Sequence, residues 1–147
     1  MPEQRGGCLC GQVRYTFTAA PVATRICWCR DCQHLSSNGT VNAVVPSASL
    51  QVLGEPSEYA STADSGHAVR RRFCGRCGSH LFADSSGRPG LTVVRVGTLD
   101  DPSAVRPTGN IWCASAPSWA CLDGTLTADA KQPKPLPPPA PADLPPA

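Results

Sequence analysis

The chain has 147 residues, a formal charge of +2, 16% charged and 5% aromatic residues, 16 prolines and nine cysteines. Near-neutrality excludes a nucleic-acid-binding charge balance. No stretch is apolar for long enough to cross a membrane.

Residues 132–147 are half proline and cannot pack a core, so the expectation is one domain over residues 1–131 and a disordered Pro-rich tail over 132–147. The opening residues, Met1 to Gly7, lack the apolar core of a signal peptide, which points to the cytoplasm, where thiols stay reduced. An odd cysteine count also suits metal binding better than complete disulfide pairing.

In chain order, Gly6-Gly7-Cys8-Leu9-Cys10-Gly11 reads as a tight turn. From Gln12 to Thr18, Val13, Tyr15 and Phe17 alternate with polar residues, which predicts a half-buried strand. Thr24 to Trp28 is a second strand, delivering Cys27 and Cys29. Arg30 to Ser37 is a short polar helix carrying Cys32, ended by Ser-Ser-Asn-Gly. Strands follow at Val41 to Val45, Leu50 to Leu53 and, weakly, Ser57 to Ser61.

Ala68 to Phe73 is a strand that includes Arg70-Arg71-Arg72 and leads into Cys74-Gly75-Arg76-Cys77-Gly78. The latter has the form of a zinc knuckle, with two thiols facing one point across a turn. The arginines are a solvated strand face, or partners that offset nearby thiolates, or, least favoured because no wider basic surface accompanies them, a phosphate-binding patch. Ser79 to Ala83 leaves as a strand, Leu91 to Leu99 is the strongest strand signal, and Pro107 to Ala114 holds a last strand around Ile111-Trp112. Many short strands with turn residues between them, and no amphipathic helix, predict an all-β domain.

The cysteines divide into two sets. Cys8, Cys10, Cys74 and Cys77 are two close pairs far apart in sequence, the pattern of a closed structural zinc site. Cys27, Cys29 and Cys32 can all reach one ion without a fourth neighbour, and three protein ligands plus an open position mark a catalytic zinc. Alternatives at this site are closure by Cys113, Cys121, His34 or His80, a metal-free redox trio, or an empty site. Seven bound thiolates and two zinc ions would leave the loaded protein near about −1. There is no His-x-Glu with Pro-Cys-x-x-Cys of a zinc deaminase, no Gly-x-Ser-x-Gly and no Walker sequence.

The order Gly7-Cys8-Leu9-Cys10-Gly11, Cys27-Trp28-Cys29-Arg30-Asp31-Cys32, Phe73-Cys74-Gly75-Arg76-Cys77-Gly78-Ser79, Arg95-Val96-Gly97-Thr98-Leu99-Asp100 and Ile111-Trp112 resembles the glutathione-dependent formaldehyde-activating enzyme family, which includes centromere protein V. The resemblance runs from Gly6 to Trp119. It implies a tent-like all-β fold of short antiparallel sheets around two zinc sites, structural at Cys8, Cys10, Cys74 and Cys77, and catalytic at Cys27, Cys29 and Cys32. It further implies carbon–sulfur lyase activity of the S-(hydroxymethyl)glutathione synthase type, with glutathione or another small thiol and an aldehyde such as formaldehyde as substrates. Trp28 and Asn110 stand where the family commonly has histidine. Trp28, Trp112 and Trp119 are candidate pocket walls or core residues, and Arg30 is a candidate for a substrate carboxylate.

The expected partners are small molecules, without nucleic acid or membrane, in a monomer or homodimer. The rival readings are a non-catalytic zinc-stabilised binding module, whose Pro-rich tail would serve as a polyproline ligand, and a thiol redox sensor.

Overall fold

The computed structural model describes residues 1–138. The first strands are β1 (Gln4–Gly7), β2 (Arg14–Phe17) and β3 (Ala23–Cys27), followed by the one α-helix among the described residues, α1 (Arg30–Ser36). Next come β4 (Thr40–Pro46), β5 (Leu50–Leu53), β6 (Ser57–Thr62), β7 (Ala68–Phe73), β8 (His80–Ser85), β9 (Leu91–Arg95), β10 (Gly109–Ile111) and β11 (Thr127–Ala128). The fold is all-β in the sense the short alternating segments demand. No helix among the described residues is long and apolar enough to cross a membrane.

Two sheets carry the structure. One has the order β1-β2-β5, the other β11-β10-β3-β4-β9-β8-β7-β6. Pairing is antiparallel except at one end of the larger sheet, where β10 runs parallel to both β3 and β11. The chain reaches β10 through a long loop after β9, and that crossover is what permits a parallel neighbour.

The alternation that runs from Val13 into β2 places Val13, Tyr15 and Phe17 in one core with Ala43, Val45, Phe82 and Val94 of the larger sheet. Phe17 is fully buried, and the Tyr15 ring meets Phe82 edge-on at 5.1 Å. Because side chains alternate across a strand, the intervening residues Val44, Ala83 and Val93 face the other side of the same sheet. The larger sheet is therefore apolar on both faces, and its second face needs a cover.

Several elements differ from the sequence expectations: β11 has no expected counterpart, and β8 runs on to Ser85. The Gly6-Gly7 segment forms the end of β1 before the turn begins. The strand from Leu91 stops at Arg95, and Val96–Thr98 turns as a 3₁₀ segment. The Thr98 hydroxyl donates to the Arg95 carbonyl at 2.7 Å, and it also bonds the Tyr15 hydroxyl at 2.8 Å, so the bend is held by the smaller sheet. The last expected strand is only three residues long, because Trp112 takes a left-handed conformation, φ 58°.

A cavity beside two thiol clusters

All nine cysteines are free thiols. Seven of them gather into the two sets expected from their spacing. The sulfurs of Cys8, Cys10, Cys74 and Cys77 lie within 4.8 Å of one another, and so do those of Cys27, Cys29 and Cys32.

The four-thiol cluster joins the turn after β1 to the turn after β7. Gly11 and Gly78, each one residue past a cysteine, have φ 78° and 77°, which only glycine adopts without strain. The Sγ–Sγ distances are 3.6 Å for Cys8–Cys10 and 3.7 Å for Cys10–Cys74. A tetrahedral zinc with ordinary zinc–sulfur bonds sets its sulfurs about 3.8 Å apart, so this donor set fits the ion. Donors already point at the sulfurs: the Val13 amide lies 3.2 Å from Cys8 Sγ, and the Ser79 hydroxyl lies 3.3 Å from Cys77 Sγ. The Ser79 bond holds the Cys77 thiol down to about 5.

The three-thiol cluster is built from the end of β3 and the start of α1. Cys29 caps the helix, its sulfur accepting from the Cys32 amide at 3.4 Å. Hydrogen bonds from Cys27 and Cys29, with Arg95 and Thr40 adding to them, push the Cys32 thiol well down. Its bonded neighbours Cys29 and Cys32, then burial, push Cys27 up. The trio therefore holds one thiolate readily, and a cation is what allows the other two to deprotonate.

Among the described residues, no histidine or further cysteine joins this trio. His34 faces the Arg30 carbonyl, His80 packs on Phe73, and Cys121 is exposed. Among the described residues, none of Cys113, Cys121, His34 and His80 brings a fourth donor to the trio. The trio instead borders a cavity of about 140 Å³ on the second face of the larger sheet.

Arg71, the middle residue of the arginine run, lines that cavity and pairs with Asp31 of α1 at 2.7 Å. Its guanidinium bonds Asp31 and Ser61, so the run does not directly pair with a thiolate; the cation acting on the trio is Arg95. Arg70 and Arg72 pair with Asp84 instead, at 3.0 and 3.3 Å. Arg30 is exposed and bonded to Gln33, outside the cavity.

The tryptophans separate. Trp112 lines the cavity, and Trp119 is exposed. Trp28 is buried, and its indole Nε1 donates to Asn110 Oδ1 at 3.4 Å. The two positions where this chain departs from the common histidines therefore face one another. Gln132 to Leu136 also border the cavity: Gln132 accepts from the Trp112 indole at 3.0 Å, and Leu136 packs on the cluster of Val44, Ala83, Leu91 and Val93. Residues 139–147, the remainder of the Pro-rich tail and of any polyproline ligand in it, lie outside the described residues.

Sequence reading assigned no role to Arg25, Arg88 or Arg95, all of which line the cavity. A signal existed for Arg95, a charge closing an otherwise apolar strand. Nothing local marks the other two.

The family model described as glutathione-dependent formaldehyde-activating enzyme matches residues 3–115, a span that includes both thiol clusters. Among solved structures, a Rhodobacter sphaeroides protein matches with 22% identity and a TM-score of 0.55, over 70% of this chain and 91% of that one. At that identity the likeness is one of fold. No curated protein matches the sequence.

Proposed function

Because the chain belongs to the glutathione-dependent formaldehyde-activating enzyme family, we propose that it is a zinc-dependent carbon–sulfur lyase of the S-(hydroxymethyl)glutathione synthase type. It joins glutathione or another small thiol to an aldehyde such as formaldehyde, and reverses that step, in a cytoplasmic setting that keeps its thiols reduced. The observation that carries this reading is the inequality of the two clusters. Cys8, Cys10, Cys74 and Cys77 can satisfy a zinc completely, whereas Cys27, Cys29 and Cys32 leave one position beside a cavity. We assign the first set to a structural zinc and the second to a catalytic one.

A zinc ion at the trio would supply Lewis acidity and lower the pKa of a thiol entering the open position. The chain does the rest. Cys27 arrives at the end of β3, Cys29 at the N-cap of α1 and Cys32 in its first turn, and all three line the cavity and would hold the ion there. The Arg71–Asp31 pair ties that turn to β7 and keeps the donor set in place. Trp112 and residues 132–136 wall the cavity and limit water. In the forward step the thiol sulfur bonds to the carbonyl carbon, and the thiol proton ends on the carbonyl oxygen. The reverse step breaks that carbon–sulfur bond and returns the proton.

The test is zinc stoichiometry on reduced protein, with X-ray absorption of the zinc shell before and after glutathione. Two zinc ions per chain, with sulfur coordination increasing when thiol is added, is the expected result. One zinc, or two that ignore thiol, would sink the enzyme reading in favour of a non-catalytic zinc-stabilised binding module.

A further inference from the structure

The cavity is more basic than the thiolates in it require. Five cationic side chains line it, Arg25, Arg71, Arg88, Arg95 and Lys134, against the carboxylates of Asp31 and Asp64. A zinc on three thiolates would add a single negative charge. Two positive charges would then remain uncompensated.

Strand register places two of these arginines in one row. Arg25 of β3 stands opposite Asn42 of β4, and Asn42 stands opposite Arg95 of β9. Strands lie about 4.8 Å apart, so the two arginine Cα atoms flank Asn42 across about 10 Å. Both side chains line the cavity, and the Arg95 guanidinium reaches Asn42.

Arg95 is 8% exposed. Its Nη1 donates to Thr40 Oγ1 at 3.1 Å and to Asn42 Oδ1, while its Nε, buried, has no partner. Arg88, from the loop between β8 and β9, also has a buried Nε without a partner. Among the described residues, no carboxylate lies within ion-pair distance of Arg25, Arg88 or Arg95. Burial, and then the Arg95 charge beside it, lowers the pKa of Arg88. Arg95 faces the Cys32 thiol and Arg88 senses Cys27 and Asp84, but none of the three has a carboxylate in contact. Partly desolvated guanidiniums lining a cavity without such a partner are costly, and that is the usual form of an anion site.

The row also has a fixed relation to the reactive sulfurs. Cys27 follows Arg25 by two residues on the same face of β3, one pleat repeat or about 7 Å away. Cys27 is paired with Thr40, the same residue whose hydroxyl takes the Arg95 bond. An anion on the row is therefore a few bonds from an atom at the open side of the trio.

We propose that Arg25, Asn42 and Arg95, completed by Arg88, form a binding site for a compact oxyanion, and that this oxyanion is a carboxylate or phosphate group on the substrate, separated by only a few bonds from its reacting sulfur or carbon. The anion site stands on the arginine row alone. Its link to the substrate rests on the thiol–aldehyde reading above.

The experiment is isothermal titration of the zinc-loaded full chain with mercaptoacetate and with 2-mercaptoethanol, which present the same thiol with and without a carboxylate. Inorganic phosphate and acetate then serve as competitors. The expected result is mercaptoacetate binding at least about ten-fold more tightly, the worth of one charge-assisted hydrogen bond. Phosphate or acetate displaces it, the better competitor identifying which acid the site prefers. Arg88→Gln brings the ratio of the two thiol affinities toward one, and Arg88→Lys restores part of it. Equal affinity for the two thiols in the unaltered protein, with no effect of either anion, overturns the proposal and leaves the lyase reading intact. Phosphate or acetate binding without any thiol binding supports the anion site and overturns the lyase reading. Binding of neither anion nor thiol overturns both.

Discussion

Removing one ligand from each thiol cluster should have unequal consequences for stability, and the ratio follows from chain separation. Cys10 and Cys74 are 64 residues apart, whereas Cys27 and Cys32 are separated by five. A cross-link restricts the unfolded chain by an amount that grows as about (3/2)RT ln n, so the four-thiol site contributes about 2 kcal/mol more from this term than the trio does. On the cross-link model the long loop is worth about 4 kcal/mol in all, a large share of the roughly 5–15 kcal/mol that holds a domain folded. Cys74 is also almost completely buried, so little solvent can replace the lost metal bond. Cys74→Ser should therefore unfold at clearly lower denaturant than Cys29→Ser, with the unaltered protein highest. Urea titration followed by circular dichroism, with zinc saturating and then chelated, measures this. Equal midpoints for the two variants, or no change on chelation, would refute the loop-closure argument and the structural role of the four-thiol site.

Phe17→Ala should cost about 3–4 kcal/mol in the same titration, because its ring is fully buried between the two sheets. Acidification offers a second test. Cys77 is held down to about 5 in the folded, metal-free protein, against 9.0 for a free thiol. A depressed folded pKa means that its contribution is complete above the unfolded value and is lost as pH falls through about 5. Ultraviolet thiolate absorbance of the zinc-free protein should accordingly show a step near about pH 5 that Cys77→Ser removes, while the Cys32 step at lower pH stays. Truncation after Lys131 should uncover the cavity, freeing Trp112 from Gln132 and exposing the apolar cluster under Leu136. The expected cost is about 1–2 kcal/mol, with a red shift in tryptophan emission. An unchanged spectrum and midpoint would show that residues 132–136 do not close the cavity in solution.

The strands were legible where the local pattern was strong. Val13, Tyr15 and Phe17 announced β2 by alternation, and Ala68–Phe73 and Leu50–Leu53 appear with the boundaries their turn residues indicated. The two donor sets were legible for a chemical reason: thiols two or three residues apart can converge on one ion whatever the surrounding fold. Reading ended where an element depends on distant partners. The bend at Val96 depends on Thr98 meeting Tyr15, and the three-residue β10 pairs with strands remote in sequence on both of its sides.

What the sequence by itself determined was thus the all-β character, and the gathering of seven cysteines into sets of four and three. Periodicity and ligand spacing are local properties, and no tertiary contact can alter them. Only the tertiary structure decided what surrounds the trio. It set Arg25 and Arg95 across Asn42 through strand register, turned Arg71 to Asp31, joined Trp28 to Asn110, and laid residues 132–136 over the second apolar face of the larger sheet. Each of these is a pairing between residues far apart in the chain, fixed by which strands become neighbours, and that choice is made by burying both faces of one sheet at once.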